Sequence, residues 1–461
     1  MPRLRTLLLL IGDIVILFAS FLLSAWLITN VGGLWDFDFW FFITEQKNTL
    51  PSIAIVTVSV VLGMYFLDLY EKIRVPSRRR LLEDLLFAFG LSFLIQAFVS
   101  YGRFTWVMSR YLMLVGSLVS VTALLLWRSL YSSLVLRSLG YSRVVFVGDS
   151  PLARQIAKFI LDNPERGYRV AAAFDETVTP DFPATPLTPI DDQFLARIRE
   201  IAPDYIAVSG DLQHKTALAQ ALMRCSMDGI NVASIGDLYE ELFQRVSLAA
   251  ISTNQLIFSP AFRPKPLVVA FQMIYGRLIA LVGLLIAWPF MILTAIAVRL
   301  DSPGPAILRQ IRLGQGGVPF TFLKFRSMYV DADARVGPVR AQENDPRITR
   351  VGRWIRLTRL DELPQLINVL RGDIALVGPR PEMPELEKRL LVDLPLYTQR
   401  HRIKPGITGW AQIHHEPEDS ILSTARKLEY DLYYVKNMTP ALDMLTIFHT
   451  FKAVLFRIGA R

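Results

Sequence analysis

Leu278-Ile-Ala-Leu-Val-Gly-Leu-Leu-Ile-Ala-Trp288-Pro289-Phe-Met-Ile-Leu-Thr-Ala-Ile-Ala-Val298 is the stretch on which the fold turns. It carries no charge and is close to the ~20 residues a helix needs to cross ~30 Å of hydrocarbon. Arg277 stands before it and Arg299 directly after it. Basic flanks at both ends give neither end a reason to leave the cytoplasm. Pro289 removes a backbone donor in the middle of the run and kinks a helix. Two readings follow. A plain kinked span would put residues 300–461 outside the cell. A helix over 273–300 that breaks at Pro289 and re-enters would keep both ends on one face, and the basic flanks favour it.

Working outward, the rest of the chain fits a membrane protein. Of 461 residues, 52% are hydrophobic and 20% charged, and the mean hydropathy is +0.35. A soluble chain carries about 25% charged residues. Apolar stretches at 7–29, 51–69, 82–100 and 111–131 predict four spans and a transmembrane region over 1–135. Arg3 and Arg5, the run Lys72, Arg74, Arg78, Arg79 and Arg80, and Arg128, Arg137 and Arg143 place the N-terminus, the 70–81 loop and everything after 131 in the cytoplasm. Trp35 and Trp40 in the 30–50 loop suit the opposite interface. Asp13 lies inside the first span and reads as a helix–helix contact rather than a transport residue. A net charge of +9 suits nucleic acid, anionic lipid or phosphorylated substrates, and the single Cys225 excludes a disulfide framework and a Cys-clustered zinc site.

Residues 140–250 alternate strand and helix signals. Strands are expected at Arg143–Gly148, Val170–Phe174, Tyr205–Val208 and Asn231–Ile235, with a helix through Ile156, Phe159 and Ile160. That is a Rossmann-like parallel sheet. Its first turn, Gly148-Asp149-Ser150-Pro151, lacks the second glycine that lets a backbone approach a pyrophosphate, and Asp149 would repel phosphate. The domain is expected as a scaffold or regulatory unit. Thr177 to Pro189 has a proline at every third place from Pro180 and reads as an extended loop.

Chemistry concentrates in residues 265–461. Arg309, Arg312, Arg326, Arg347, Arg350, Arg353, Arg356 and Arg359 crowd around the pair Asp361-Glu362. Guanidinium forks match phosphate oxygens, so arginines beside carboxylates suggest a phosphorylated anion and a metal. A solvated basic face is the bland alternative. Pro364 is tolerated only in a helix's first turn, which puts Asp361 near an N-cap; the pair is a simple cap or two carboxylates facing different partners. Arg380 is held stiffly between Pro379 and Pro381, as anion capture or as a surface turn. Arg402 to Trp410 is a glycine-punctuated basic loop able to hold a nucleotide or its phosphates. His414-His415 has no third ligand at metal spacing. Leu442, Leu445, Phe448, Phe451 and Leu455 form a stripe that suits a membrane surface or a core equally.

Taken together, Asp301-Ser-Pro-Gly-Pro305, Lys324-Phe-Arg-Ser-Met328, Arg359-Leu-Asp-Glu-Leu-Pro-Gln-Leu-Ile-Asn-Val-Leu-Arg-Gly372, Val377-Gly-Pro-Arg-Pro-Glu382, Lys404-Pro-Gly-Ile-Thr-Gly-Trp410 and Lys427-Leu-Glu-Tyr-Asp-Leu-Tyr-Tyr-Val435 resemble the monotopic polyprenyl-phosphate phosphoglycosyl transferases, the bacterial sugar transferases. Four spans plus a degenerate nucleotide fold look like the large branch acting with glucose or galactose. The resemblance implies a mainly α-helical catalytic domain carrying the re-entrant helix, in the bacterial inner membrane and facing the cytoplasm. It implies transfer of a hexose-1-phosphate from a UDP-sugar to undecaprenyl phosphate with release of UMP, as the first membrane step of exopolysaccharide, capsule or O-antigen synthesis. Asp361 would be the nucleophile and a ligand of Mg²⁺, Glu362 would assist the lipid phosphate, and Lys324, Arg326, Arg356 and Arg380 would bind phosphate. Where the family breaks its helix at Ser-Pro, this chain has Trp288-Pro289. A homodimer is an expected partner and nucleic acid is not.

Overall fold

The computed structural model describes residues 2–31, 49–67, 69–70, 78–102, 110–138, 141–176, 182–210, 216–251, 259–330, 345–414 and 420–455. The aromatic 30–50 loop apart from its helix-terminal positions, residues 71–77 of the 70–81 loop, the first part of the proline-rich loop and His415 lie outside the described residues. The chain forms two compact units, Met1–Ile235 and Gly236–Arg461.

In the first unit four helices cover the four predicted spans: α1 (Pro2–Val31), α2 (Thr49–Phe66), α3 (Arg78–Gly102) and α4 (Arg110–Ser138). Among the described residues of this unit, Leu7–Ile28 and Tyr111–Ser132 are long and apolar enough to cross a membrane, and Leu50–Tyr65 is a shorter apolar helix. Helix α1 packs on α4 and α2 on α3, around Leu17, Phe21, Ile53, Val60, Met64, Leu85, Ala88 and Leu124. Close approach is made by small residues, as lipid-embedded helices require: a Cβ on Gly63 would lie 3.0 Å from the Ala88 backbone. Leu94, Leu118 and Leu126 point outward, as a hydrocarbon solvent favours.

Asp13 makes a helix–helix contact, as expected. Arg128 Nη2 meets its carboxylate at 2.6 Å, and Arg128 Nη1 donates to the Leu69 carbonyl at 2.9 Å. Arg128 is therefore not a free flanking charge. The pair ties α1, α4 and the turn after α2 together. Removing one member of a buried pair costs about 3–5 kcal/mol. Arg128→Met should lower the unfolding temperature of the detergent-solubilised chain well beyond any surface substitution, and adding Asp13→Asn should recover part of the loss.

The sheet has order β3-β2-β1-β4-β5, all parallel, from β1 (Ser142–Val147), β2 (Tyr168–Asp175), β3 (Leu187–Pro189), β4 (Tyr205–Val208) and β5 (Asn231–Ser234). The strand β3 was not anticipated; it falls inside the stretch read as a loop, because the edge strand is only Leu187–Pro189 and its pattern is too short to register. Helices α5 (Pro151–Asp162), α6 (Phe194–Ile201) and α7 (Thr216–Met227) connect the strands. At the first turn Ser150 Oγ caps the Ala153 N–H at 3.1 Å, and Asp149 accepts Arg154 Nε at 2.8 Å. The Asp149 N–H donates to Asp175 Oδ2, so two carboxylates stand where a pyrophosphate would need donors.

After α8 (Ile235–Phe243), the second unit is built along α9 (Pro266–Asp301). At 1.5 Å per residue this helix is about 54 Å long. It stays helical through Pro289, so the expected break is not a break in the hydrogen-bonded helix: one missing N–H removes one bond and leaves the turns on either side intact. One face is buried, through Gln272, Gly276, Ala280, Thr294 and Val298. Ala280 packs with Phe322, Val369 and Ile374, while Val298 packs with Phe325 and Ile355. The other face exposes Leu278, Leu285, Ile286, Trp288 and Leu293. The same polar unit thus clamps the helix near both ends.

Candidate active site

Residue by residue, the site assembles from four short elements. Lys324 is the penultimate residue of β7 (Pro319–Phe325), which pairs antiparallel with β6 (Ile307–Leu313), Leu308 opposite Lys324. Arg356 lies in the last turn of α10 (Arg350–Leu357). Thr349 Oγ1 caps its start at the Gly352 N–H, and Asp301 Oδ2 accepts the Val351 N–H at 3.0 Å. Arg359 then adopts a left-handed backbone, φ 58°, a conformation rarely used by a non-glycine residue and found where surrounding structure enforces it. It reverses the chain into a 3₁₀ turn, Leu360–Glu362, ahead of α11 (Gln365–Arg371).

Asp361 is therefore not the N-cap of α11. The helix starts at Gln365 with Pro364 as its cap residue, because the Leu363 N–H closes the 3₁₀ turn on the Leu360 carbonyl at 3.2 Å. Asn368 fixes the turn against the hairpin: its Oδ1 accepts the Leu323 N–H at 3.0 Å and its Nδ2 donates to the Thr321 carbonyl at 2.7 Å. Sequence reasoning passed over Asn368, which looks like any helical amide until β7 is seen beside it.

Five of the six expected side chains come together: Asp361, Glu362, Lys324, Arg356 and Arg380. Arg380 Nη2 donates to Glu362 Oε1 at 3.2 Å. Among the described residues no hydrogen bond engages the Asp361 carboxylate. Burial raises its pKa to about 6, the Glu362 charge adds to the rise, and Lys324, Arg356 and Arg380 oppose it. Burial pulls Lys324 below the usual lysine range, Arg312 adds to this and Asp361 opposes it. The arrangement is a carboxylate that ionises near pH 6, free to attack or bind, ringed by three cations able to receive phosphate oxygens. A reaction using the Asp361 anion should lose rate as pH falls through about 6 and level off above it, read from single-turnover rates between pH 5 and 8.

Arg326 belongs elsewhere. Its guanidinium is buried at the end of α9, donating to Ser302 O at 2.6 Å, Pro303 O at 2.9 Å and Ser302 Oγ at 3.0 Å. These carbonyls at a helix C-terminus need donors, so Arg326 serves the backbone rather than a phosphate. Gly304, φ +123°, makes room: a Cβ there would lie 2.1 Å from Arg326 Nη1. Arg347 is likewise committed, to Asp345 at 2.6 Å. The Arg402–Trp410 loop is no cradle. Its Gly406–Thr408 segment is β9, paired with β8 (Ala375–Val377), and Lys404 Nζ donates to the Gly372 carbonyl at 2.6 Å.

Beneath the Arg380 loop lies a buried ionic layer that the sequence did not suggest. Arg400 Nη2 donates to the Arg380 carbonyl at 2.7 Å and meets Asp431 Oδ2 at 2.8 Å. Lys427 Nζ meets Glu382 Oε1 at 2.5 Å, and Arg312 Nη1 donates to the Pro381 carbonyl at 3.2 Å. Asp431 and Lys427 come from α14 (Ile421–Asn437); α12 (Pro384–Asp393) and α13 (Trp410–His414) complete this side. The final helix α15 (Pro440–Leu455) packs as core through Leu442, Leu445 and Ile447.

A half-buried carboxylate beside Lys324, Arg356 and Arg380, on a unit packed along an apolar helix, is a site suited to a phosphorylated ligand. Residues 269–457 match the family described as bacterial sugar transferase, and residues 65–236 match one described as a CoA-binding domain. Relatives include the UDP-N-acetylgalactosamine-undecaprenyl-phosphate N-acetylgalactosaminephosphotransferase of Aeromonas hydrophila, 38% identical over 56% of this chain and 60% of that protein. The UDP-glucose:undecaprenyl-phosphate glucose-1-phosphate transferase of Xanthomonas campestris pv. campestris is 33% identical over 74% of this chain and 72% of that one. The exopolysaccharide production protein PSS of Rhizobium leguminosarum bv. phaseoli is 40% identical over 39% of this chain, yet 92% of its own length. The chain belongs to the bacterial sugar transferase family, a family of phosphoglycosyl transferases. The first of these matches spans less than two thirds of the relative's length.

Proposed function

We propose that the protein transfers a hexose-1-phosphate, glucose or galactose first, from a UDP-sugar to undecaprenyl phosphate through a covalent intermediate on Asp361. The uncommitted Asp361 carboxylate inside its ring of cations is the observation that carries this reading. In the first half-reaction an Asp361 oxygen attacks the sugar-bearing phosphorus, the bond to the bridging oxygen breaks, and UMP leaves with that electron pair. In the second, an oxygen of undecaprenyl phosphate attacks the same phosphorus and the Asp361 carboxylate departs, leaving undecaprenyl diphospho-hexose. Lys324, Arg356 and Arg380 offset the phosphate charge, and Glu362 keeps Arg380 in place until the lipid phosphate arrives. Mg²⁺ is commonly held by one or two carboxylates plus substrate phosphates. Asp361 and Glu362 fit that pattern, and no group of three or more candidate ligands occurs among the described residues. The ion held there would neutralise diphosphate charge.

The membrane arrangement is part of the proposal. Helix α9 is clamped near both ends by one polar unit, so crossing the bilayer would drag Lys324 and Arg356 into hydrocarbon. We place it in the cytoplasmic leaflet of the bacterial inner membrane, entering and leaving on one side. Exopolysaccharide, capsule or O-antigen synthesis is the setting, and a native mass in lipid showing a single chain would remove the expected homodimer.

Isotope exchange tests the mechanism. With Mg²⁺ and no lipid acceptor, labelled UMP should enter the UDP-sugar pool, because a covalent half-reaction runs backwards by itself. Lipid-dependent UMP release without such exchange would establish direct transfer instead. The panel of UDP-sugars should include the N-acetylhexosamines, since one relative is named for N-acetylgalactosamine.

A further inference from the structure

An apolar membrane helix has no packing need for a buried glutamine, and an unbonded amide in such a place costs several kcal/mol. Gln272 of α9 is nonetheless 5% exposed. Its Nε2 is 3.0 Å from the Val377 carbonyl, 2.9 Å from Asp443 Oδ2 and 2.8 Å from the Tyr434 hydroxyl. Tyr434 also reaches the Val377 carbonyl at 3.3 Å. The Tyr275 and Tyr434 hydroxyls both donate to Asp443. Asp443 is fully buried on α15, and its hydrogen bonds come from these three neutral donors. Each proton has a place: the two amide hydrogens go to Val377 O and Asp443, and the two phenols to Asp443.

Val377 ends β8, three residues before Arg380. Pro379 and Pro381 stiffen the intervening backbone, and close glycines lock it to β9: the Gly378 N–H donates to the Thr408 carbonyl at 2.9 Å, and the Gly406 N–H to the Pro379 carbonyl at 3.0 Å. A displacement of the Val377 carbonyl is therefore passed on to Arg380 rather than absorbed. We infer that Gln272 is a positioning residue for Arg380: its amide ties the carbonyl ahead of the Arg380 loop to the membrane helix, while the Tyr434 hydroxyl fixes Asp443, the second acceptor of that amide, so the grip on substrate phosphate depends on how that helix is seated. The role in phosphate binding rests on the reaction proposed above.

The test uses the full chain in lipid nanodiscs with Gln272→Met, and with Tyr434→Phe as the milder change that keeps the ring. Hydrogen exchange of peptides covering 375–383 should accelerate about 10-fold, with the rest of the second unit unchanged. The KM for the UDP-sugar should rise by about 10-fold, and that effect should shrink below about 2-fold in an Arg380→Lys background, as coupled residues require. A plain folding role would leave KM alone, spread the exchange change over the whole unit, or act equally in both backgrounds; any of these overturns the inference. Unchanged exchange at 375–383 overturns it whatever the kinetics do. Wild-type protein that releases no UMP from any UDP-sugar, while the loop still loosens in Gln272→Met, overturns the proposed reaction and leaves the tie between helix and loop standing.

Discussion

Asp361→Asn should lower UMP release by at least ~10³-fold, because removing a nucleophile leaves only binding and electrostatic contributions to the rate. The same variant should be more stable than the parent at pH 7.5. The folded-state pKa of Asp361 is raised from 3.8 to about 6, so the folded protein holds this proton more tightly than the unfolded chain does. Its contribution to stability is full below pH 3.8 and is lost as pH rises through about 6. Two pKa units correspond to at most ~3 kcal/mol, and partial exposure brings the expected gain nearer ~1–2 kcal/mol. Thermal unfolding at pH 7.5 and pH 4 checks this: the advantage of Asp361→Asn should appear at the first and fade at the second. An inactive variant that is also less stable at pH 7.5 would argue that the charged carboxylate holds the site's cations together, a structural role in place of a nucleophile.

The second large effect is expected at Arg400. Its side chain is 1% exposed and faces Asp431, 2% exposed, at 2.8 Å, while also holding the Arg380 carbonyl and, at 2.9 Å, the Tyr397 hydroxyl. Arg400→Met removes the cation and strands a buried carboxylate, a change worth about 3–5 kcal/mol. For a unit of this size that is a fall of roughly 6–20 °C in unfolding temperature. Adding Asp431→Asn should recover part of it, since the two residues share one interaction. Strictly additive losses would mean that Arg400 acts mainly through Tyr397 and the Arg380 carbonyl.

Much of the architecture was legible because it rests on local chemistry. Apolar runs announced the helices of the first unit, and alternation of short β-branched strands with amphipathic helices announced the parallel sheet. Ser150 and Asp149 marked the first turn as unlike a glycine-rich pyrophosphate turn, and in the fold the Ser150 hydroxyl caps α5 while Asp149 pairs with Arg154. Asp361, Glu362, Lys324, Arg356 and Arg380 were visible as a constellation of charge. Two stretches make contacts that spacing does not reveal, for one reason. Arg326 and the Arg402–Trp410 loop look like phosphate ligands in one dimension, but an arginine binds whichever acceptors lie nearest in space, and the carbonyls at the end of α9 are nearest to Arg326.

Composition and spacing by themselves determined that this is a membrane protein with a parallel-sheet domain and an acidic pair among arginines. Those properties follow from the period and chemistry of residues close in sequence. Tertiary structure alone decided which arginines face the carboxylates, that Asp361 sits in a 3₁₀ turn ahead of its helix, and that α9 lies along the unit it anchors. Each of these depends on groups brought together from distant parts of the chain: Arg326 to Ser302, Arg400 to Asp431, Gln272 to Val377. A buried polar group takes its role from whatever partner burial supplies, and burial is a property of the folded chain.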